Sequence, residues 1–125
     1  ELALILRLRL PERKNLGGHL PVLHHVDVIA GDIVGKAADR DTMLCPSARV
    51  LAQLPLAAFQ RQGSWATIQF RLPRAETSSF VRVRGTNTDV VSPRLDLPPE
   101  KGRTPIDPFT DLWFYSNPIQ VYVRS

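Results

Sequence analysis

The chain of 125 residues carries 16 basic and 12 acidic side chains, a net charge of +4, with 43% hydrophobic and 22% charged residues. This is the composition of one ordinary globular domain with enough apolar content for a core, and no apolar run approaches the ~20 residues of a membrane-spanning helix. A single cysteine, Cys45, excludes an internal disulfide and a cysteine-rich metal centre.

The basic residues are mostly arginine, with lysine only at Lys14, Lys36 and Lys101. Arginine suits phosphate and carboxylate recognition, and a GC-rich genome gives the same bias. The charge is spread along the chain, so no nucleic-acid partner is expected.

Leu2, Leu4, Leu6, Leu8 and Leu10 alternate with Ala3, Ile5, Arg7 and Arg9, the pattern of a strand with one apolar face. Pro11 ends it, and Glu12 to Gly18 forms a polar turn. Pro21 to Ile29 is expected as a second strand, with Val22, His24, Val26 and Val28 on one face and Leu23, His25, Asp27 and Ile29 on the other. Gly31 and Gly35 flank an acidic bend at Asp32, and Lys36 to Pro46 is loop. Ala48 to Leu54 is read as strand rather than helix because Pro55 limits any helix to about two turns; a helical turn follows over Leu56 to Gln60.

Ser64 to Leu72 alternates cleanly, with Ala66, Ile68, Phe70 and Leu72 on the apolar side. Ser79 to Gly85 is the next strand, Val81 and Val83 inward, Arg82 and Arg84 on the opposite face. Thr86 to Thr110 is irregular and holds five of the 11 prolines. Leu112 to Ser116 and Ile119 to Val123 are two strand pieces joined at Asn117-Pro118, where proline forces a bend or bulge. Short strands, frequent turn signals and no long helix predict an all-β fold: an immunoglobulin-like antiparallel β-sandwich of about seven strands.

Three groups of residues carry potential chemistry. His25 and Asp27 lie two apart on one strand face and could share a metal ion, with His19 as a looping third ligand. The alternative is that Asp27 is a hydrogen-bond acceptor for an arginine or a backbone N–H, with the histidines at a partly exposed edge. Arg82 and Arg84 could grip a phosphate or carboxylate, or pair with acidic side chains across the sheet; Asp27 is a candidate partner that would account for both features. Trp113 and Tyr115, with Tyr122, could stack on sugars, cover the open end of the sandwich or dock on a neighbouring domain. There is no nucleophile elbow around Ser64 or Ser116, no phosphate-binding glycine loop and no HExxH. The domain is therefore expected to be non-catalytic, without a cofactor.

Three segments, HHVDVIAGDIVG (His24 to Gly35), SSFVRVRGTNT (Ser78 to Thr88) and DPFTDLWFYSNPIQVYV (Asp107 to Val123), resemble the C-terminal β-sandwich of bacterial metal-dependent phosphoesterases of the polymerase-and-histidinol-phosphatase (PHP) type. The matching elements are Arg82-Val83-Arg84-Gly85 and Ser116-Asn117-Pro118-Ile119. A first residue, Glu1, that already lies in a strand is expected of an excised piece, the C-terminal part of a longer protein; the resemblance implies a non-catalytic appendage of an exported phosphoesterase, with a catalytic domain of the same parent chain as partner. No catalytic motif of that family has a counterpart here. The matching residues are assigned fold-holding roles: Gly85 a positive φ at the strand exit, Asn117 and Pro118 the entry into the last strand, and Asp111 a tie between the long loop and Arg82 or Arg84. A carbohydrate or cell-surface polymer binding module is the alternative function.

Overall fold

A computed structural model describes residues 2–42, 45–89 and 112–124. The described residues form eight strands and one 3₁₀ turn: β1 (Leu2–Arg9), β2 (His25–Asp32), β3 (Arg49–Pro55), the turn Leu56–Ala58, β4 (Gln60–Gln62), β5 (Trp65–Leu72), β6 (Ser79–Thr86), β7 (Trp113–Tyr115) and β8 (Ile119–Val121). A three-stranded sheet runs β1-β5-β4; a five-stranded sheet runs β3-β2-β6-β7, with β8 also on β6. All pairings are antiparallel. This order matches strands B-E-D facing C′-C-F-G of immunoglobulin-type sandwiches, and so bears out the expected architecture.

The apolar alternation places the core. Leu6 of β1 and Ala66 of β5 meet Val26, Val28 and Ala30 of β2 and Val81 and Val83 of β6, with Phe59 closing the space beside them. Leu4, Leu8, Ile68, Phe70 and Leu72 pack around this centre. Each well-buried aliphatic side chain contributes about 1.5–3 kcal/mol relative to leaving it in water. The inward sides of β1, β5 and β6 are those the sequence indicates.

Several boundaries differ from the expected ones for identifiable reasons. β2 starts at His25, not Pro21, because β6 ends at Thr86 and the bond from His24 N to Thr86 O is the last rung available. It continues through Gly31 and Asp32, expected as a bend, because β6 supplies partners as far as Ser79. β4 has no sequence signal, since Gln60, Arg61 and Gln62 are polar and exposed. It exists because Gly63, at φ 58°, turns the chain back onto β5.

The joint at Asn117-Pro118 is a β-bulge. Arg84 pairs with Tyr115 but Val81 with Ile119, so the β7–β8 side carries one extra residue between those rungs. Ser116 bridges the gap: its N–H donates to Val83 O at 2.9 Å, and its Oγ accepts from Val83 N at 3.0 Å. Sequence reasoning placed the break at the proline but missed that Ser116 maintains the ladder through it.

Gly85 requires a correction. It is absent from the positive-φ glycines, Gly18, Gly35 and Gly63, and lies inside β6. Its need for glycine is steric: the Phe114 ring occupies the place of a β-carbon. Gly31 is similar, with Phe80 ring atoms 2.5 Å from where a β-carbon would sit. Gly85→Ala is expected to cost about 1–3 kcal/mol in urea denaturation. In a Phe114→Ala background the cost should drop below about 1 kcal/mol; an equal cost in both backgrounds would contradict this packing.

Candidate functional site

β2 is buried on both faces. Its inner face is the core; its outer face presents His25, Asp27, Ile29 and Gly31. Antiparallel register sets Gln53 of β3 and Arg84 of β6 on either side of Asp27. A polar cluster forms there because three neighbouring strands each contribute one side chain to the same row.

Asp27 is 1% exposed. Its Oδ2 accepts from Arg84 Nε at 3.0 Å and Nη2 at 2.7 Å, and its Oδ1 accepts from Gln53 Nε2 at 3.2 Å. The Arg84 side chain is itself only 11% exposed, and its guanidinium carbon lies 5.2 Å from the Trp113 ring centroid. The cation is thus held between a carboxylate and an indole, both of which favour its charge.

His25 is 3% exposed, not at the partly exposed edge expected of it, because β3 and β6 flank β2 on both sides. It places Nε2 3.6 Å from Asp27 Oδ1, beyond hydrogen-bond range, and this buried nitrogen has no hydrogen-bond partner among the described residues. Its other nitrogen, Nδ1, lies 2.8 Å from Nδ1 of exposed His24. One of these must carry the hydrogen and the other the lone pair. The carboxylate beside Nε2 favours a hydrogen there, so His24 donates and His25 accepts. Burial lowers the pKa of His25 below its ordinary 6.5; His24 and Arg84 add to this, and Asp27 opposes it.

The expected partnership of Asp27 with an arginine is present, with Arg84 as that partner. Arg82 sits two residues away, opposite Ile29, and is exposed, so the two arginines do not act on one anion. Trp113 joins Arg84, while Tyr115, opposite Arg84 in the ladder, stands 58% exposed. His25 and Asp27 are adjacent as a metal pair requires, but Arg84 already neutralises the carboxylate. His19 lies in the Asn15–His19 turn, and no group of three His, Cys, Asp or Glu side chains converges among the described residues. Asp111, and residues 90–110 of the segment expected to be irregular, lie outside the described residues. Both Asp27 and His25 are sealed from solvent, so no substrate atom reaches them in this arrangement.

The RGTNT run has a positional role that sequence reasoning did not resolve. Buried Thr86 donates through Oγ1 to Leu112 O at 3.0 Å and accepts there from Thr88 N at 3.1 Å. Asn87 Oδ1 accepts from Leu112 N at 2.8 Å. These bonds pin the end of β6 to the start of β7 and place Trp113 over Arg84.

Beside this pinned end a cleft of about 440 Å³ opens between the sheets. Leu8, Leu10, Pro21, Leu23, Leu112 and Phe114 line it, and Arg7 and Arg9 stand at its margin. Comparison of the chain with protein-family profiles, curated proteins and solved structures gives no significant match.

Removing one member of a buried ion pair leaves the other charge uncompensated. Asp27→Leu is expected to lower stability by about 3–5 kcal/mol, whereas Asp27→Leu combined with Arg84→Met should recover most of that loss. Denaturation of the two variants measures this, and a double variant at least as unstable as the single one would contradict it. His25 gives a second expectation. Its folded pKa is lowered, so the unfolded chain takes up a proton first; stability is complete above pH ~6.5 and falls as the pH drops towards the folded value. The slope is at most about 1.4 kcal/mol per pH unit. His25→Gln should remove this component from the pH dependence of the melting temperature; an unchanged profile would show that His25 is not its source.

Proposed function

We propose that the chain is a non-catalytic accessory β-sandwich domain of a larger metal-dependent phosphoesterase, seated on the catalytic domain of the same parent chain. The observation carrying this reading is the apolar cleft beside the β6–β7 junction. Among the described residues it is lined mainly by aliphatic and aromatic carbon, with Arg7, Arg9, Thr86 and Asn87 as the polar members and no carboxylate or histidine at its walls, a composition suited to burial against another protein surface rather than to bond-making. Phe114 and Tyr115, both exposed on β7, extend the apolar surface next to it.

The titratable cluster supports the same reading. Its carboxylate, guanidinium and amide satisfy one another within the sheet, and such a cluster maintains strand register rather than activating a nucleophile. The resemblance of the Arg82–Gly85 and Ser116–Ile119 elements to PHP-type C-terminal sandwiches supplies the class of catalytic partner and an exported parent.

The purified 125-residue chain should give no turnover of generic phosphoesters with added divalent metals. In the parent protein, Pro11→Asp and Phe114→Asp, which place charge on exposed cleft positions, should loosen the domain and increase proteolytic cleavage at its boundary. Turnover by the isolated chain, or a parent protein indifferent to both substitutions, would refute the proposal.

A further inference from the structure

The three-stranded sheet has an outer face of unusual chemistry. Leu4, Leu6, Leu8, Ala66, Ile68 and Phe70 point into the core, so the alternate positions face outward. Register then aligns Arg9, Trp65 and Gln62 in one row and Arg7, Thr67 and Gln60 in the next, with Ile5 beside Gln69 and Ala3 beside Arg71 beyond them. No residue of β1, β4 or β5 is Asp or Glu. Among the described residues, exposed Arg9 of this face pairs with Glu12, beyond the end of β1, at 3.8 Å. The face is basic, amide-rich and built on strands, with side-chain rows about 7 Å apart along each strand.

Arg7 shows how such a face meets a ligand. Its guanidinium lies 4.3 Å from the Trp65 ring centroid. Stacking fixes the plane of the cation and leaves its donor edge available for two parallel bonds to a carboxylate. Each neighbouring glutamine amide offers two donors and an acceptor, a match for hydroxyl groups.

The backbone of β5 is hydrogen-bonded on both sides, by β1 and β4, so a ligand lying across the face is held by side chains rather than by ladder bonds. The one indole of the face already carries Arg7, which disfavours a nucleic acid that relies on base stacking. We propose that the outer face of β1, β5 and β4 binds an acidic polysaccharide, its uronate carboxylates held by Arg7 and Arg9 and its hydroxyls by Gln60, Gln62 and Gln69. This surface is distinct from the apolar cleft, which it meets only at Arg7 and Arg9.

The test is affinity electrophoresis of the 125-residue chain through gels containing polygalacturonate, dextran, polyglutamate or oligothymidine, at low and high salt. Polygalacturonate should retard the chain most strongly, with retardation reduced by salt and absent in dextran. Arg7→Ala and Trp65→Ala should each weaken binding about tenfold, Arg7→Lys should restore only part of it, and Arg82→Ala on the other sheet should leave it unchanged. All variants are first checked for an unchanged melting transition; Gln60→Ala on the short edge strand serves if one of them does not fold. Absence of retardation, equal retardation by polyglutamate or oligothymidine, or variants that bind like the original chain would overturn the proposal.

Discussion

The pairing of Asp27 with Arg84 is the constraint on which the second sheet depends. β2 is the strand through which that sheet is joined, with β3 on one side and β6 on the other. Its inner face is secured by aliphatic packing, which tolerates small sliding; its outer face holds a carboxylate that cannot remain in a low-dielectric site without partners. A slip of one residue between β2 and β6 would carry Asp27 into the core and Val28 out of it. The ion pair therefore penalises every register but the observed one. The pair also holds Trp113 at the edge of the sheet, and so connects the interior to the surface beside the cleft.

The architecture was legible because its signals are local. Even-numbered residues of β1 and β5 are apolar, as are Val81 and Val83 of β6, which is enough to orient three strands. What was not legible depended on neighbours distant in sequence. The role of Gly85 is set by Phe114, and that of Ser116 by Val83. The start of β2 is set by where β6 stops. β4 owes its existence to the turn at Gly63 and to an available edge of β5, with nothing apolar in its own three residues.

The candidate site was partly legible in the same sense. His25 and Asp27 two apart, and Arg82 and Arg84 two apart, give two short rows whose meeting is a matter of register. Sequence could name Asp27 as a partner for an arginine but could not choose Arg84 over Arg82. The choice follows from β2–β6 alignment, which places Arg82 opposite Ile29. The contact between His24 and His25 was also beyond reach, because the strand reading put those side chains on opposite faces. His24 lies just before β2, where the chain is free of the strand's alternation and its ring can turn back to meet His25.

If the cluster is a structural lock, the Arg84 side chain is immobile and its Nε–H is shielded from water. Nitrogen-15 NMR of the arginine side chains at neutral pH is the most direct measurement of that state. The account requires a slowly exchanging Arg84 Nε–H resonance, with a through-space contact to the Trp113 ring, that is unaffected by added manganese or zinc. Rapid exchange of that proton, or selective broadening of the Arg84 and His25 signals by low concentrations of manganese, would show an open, metal-accessible site and contradict it.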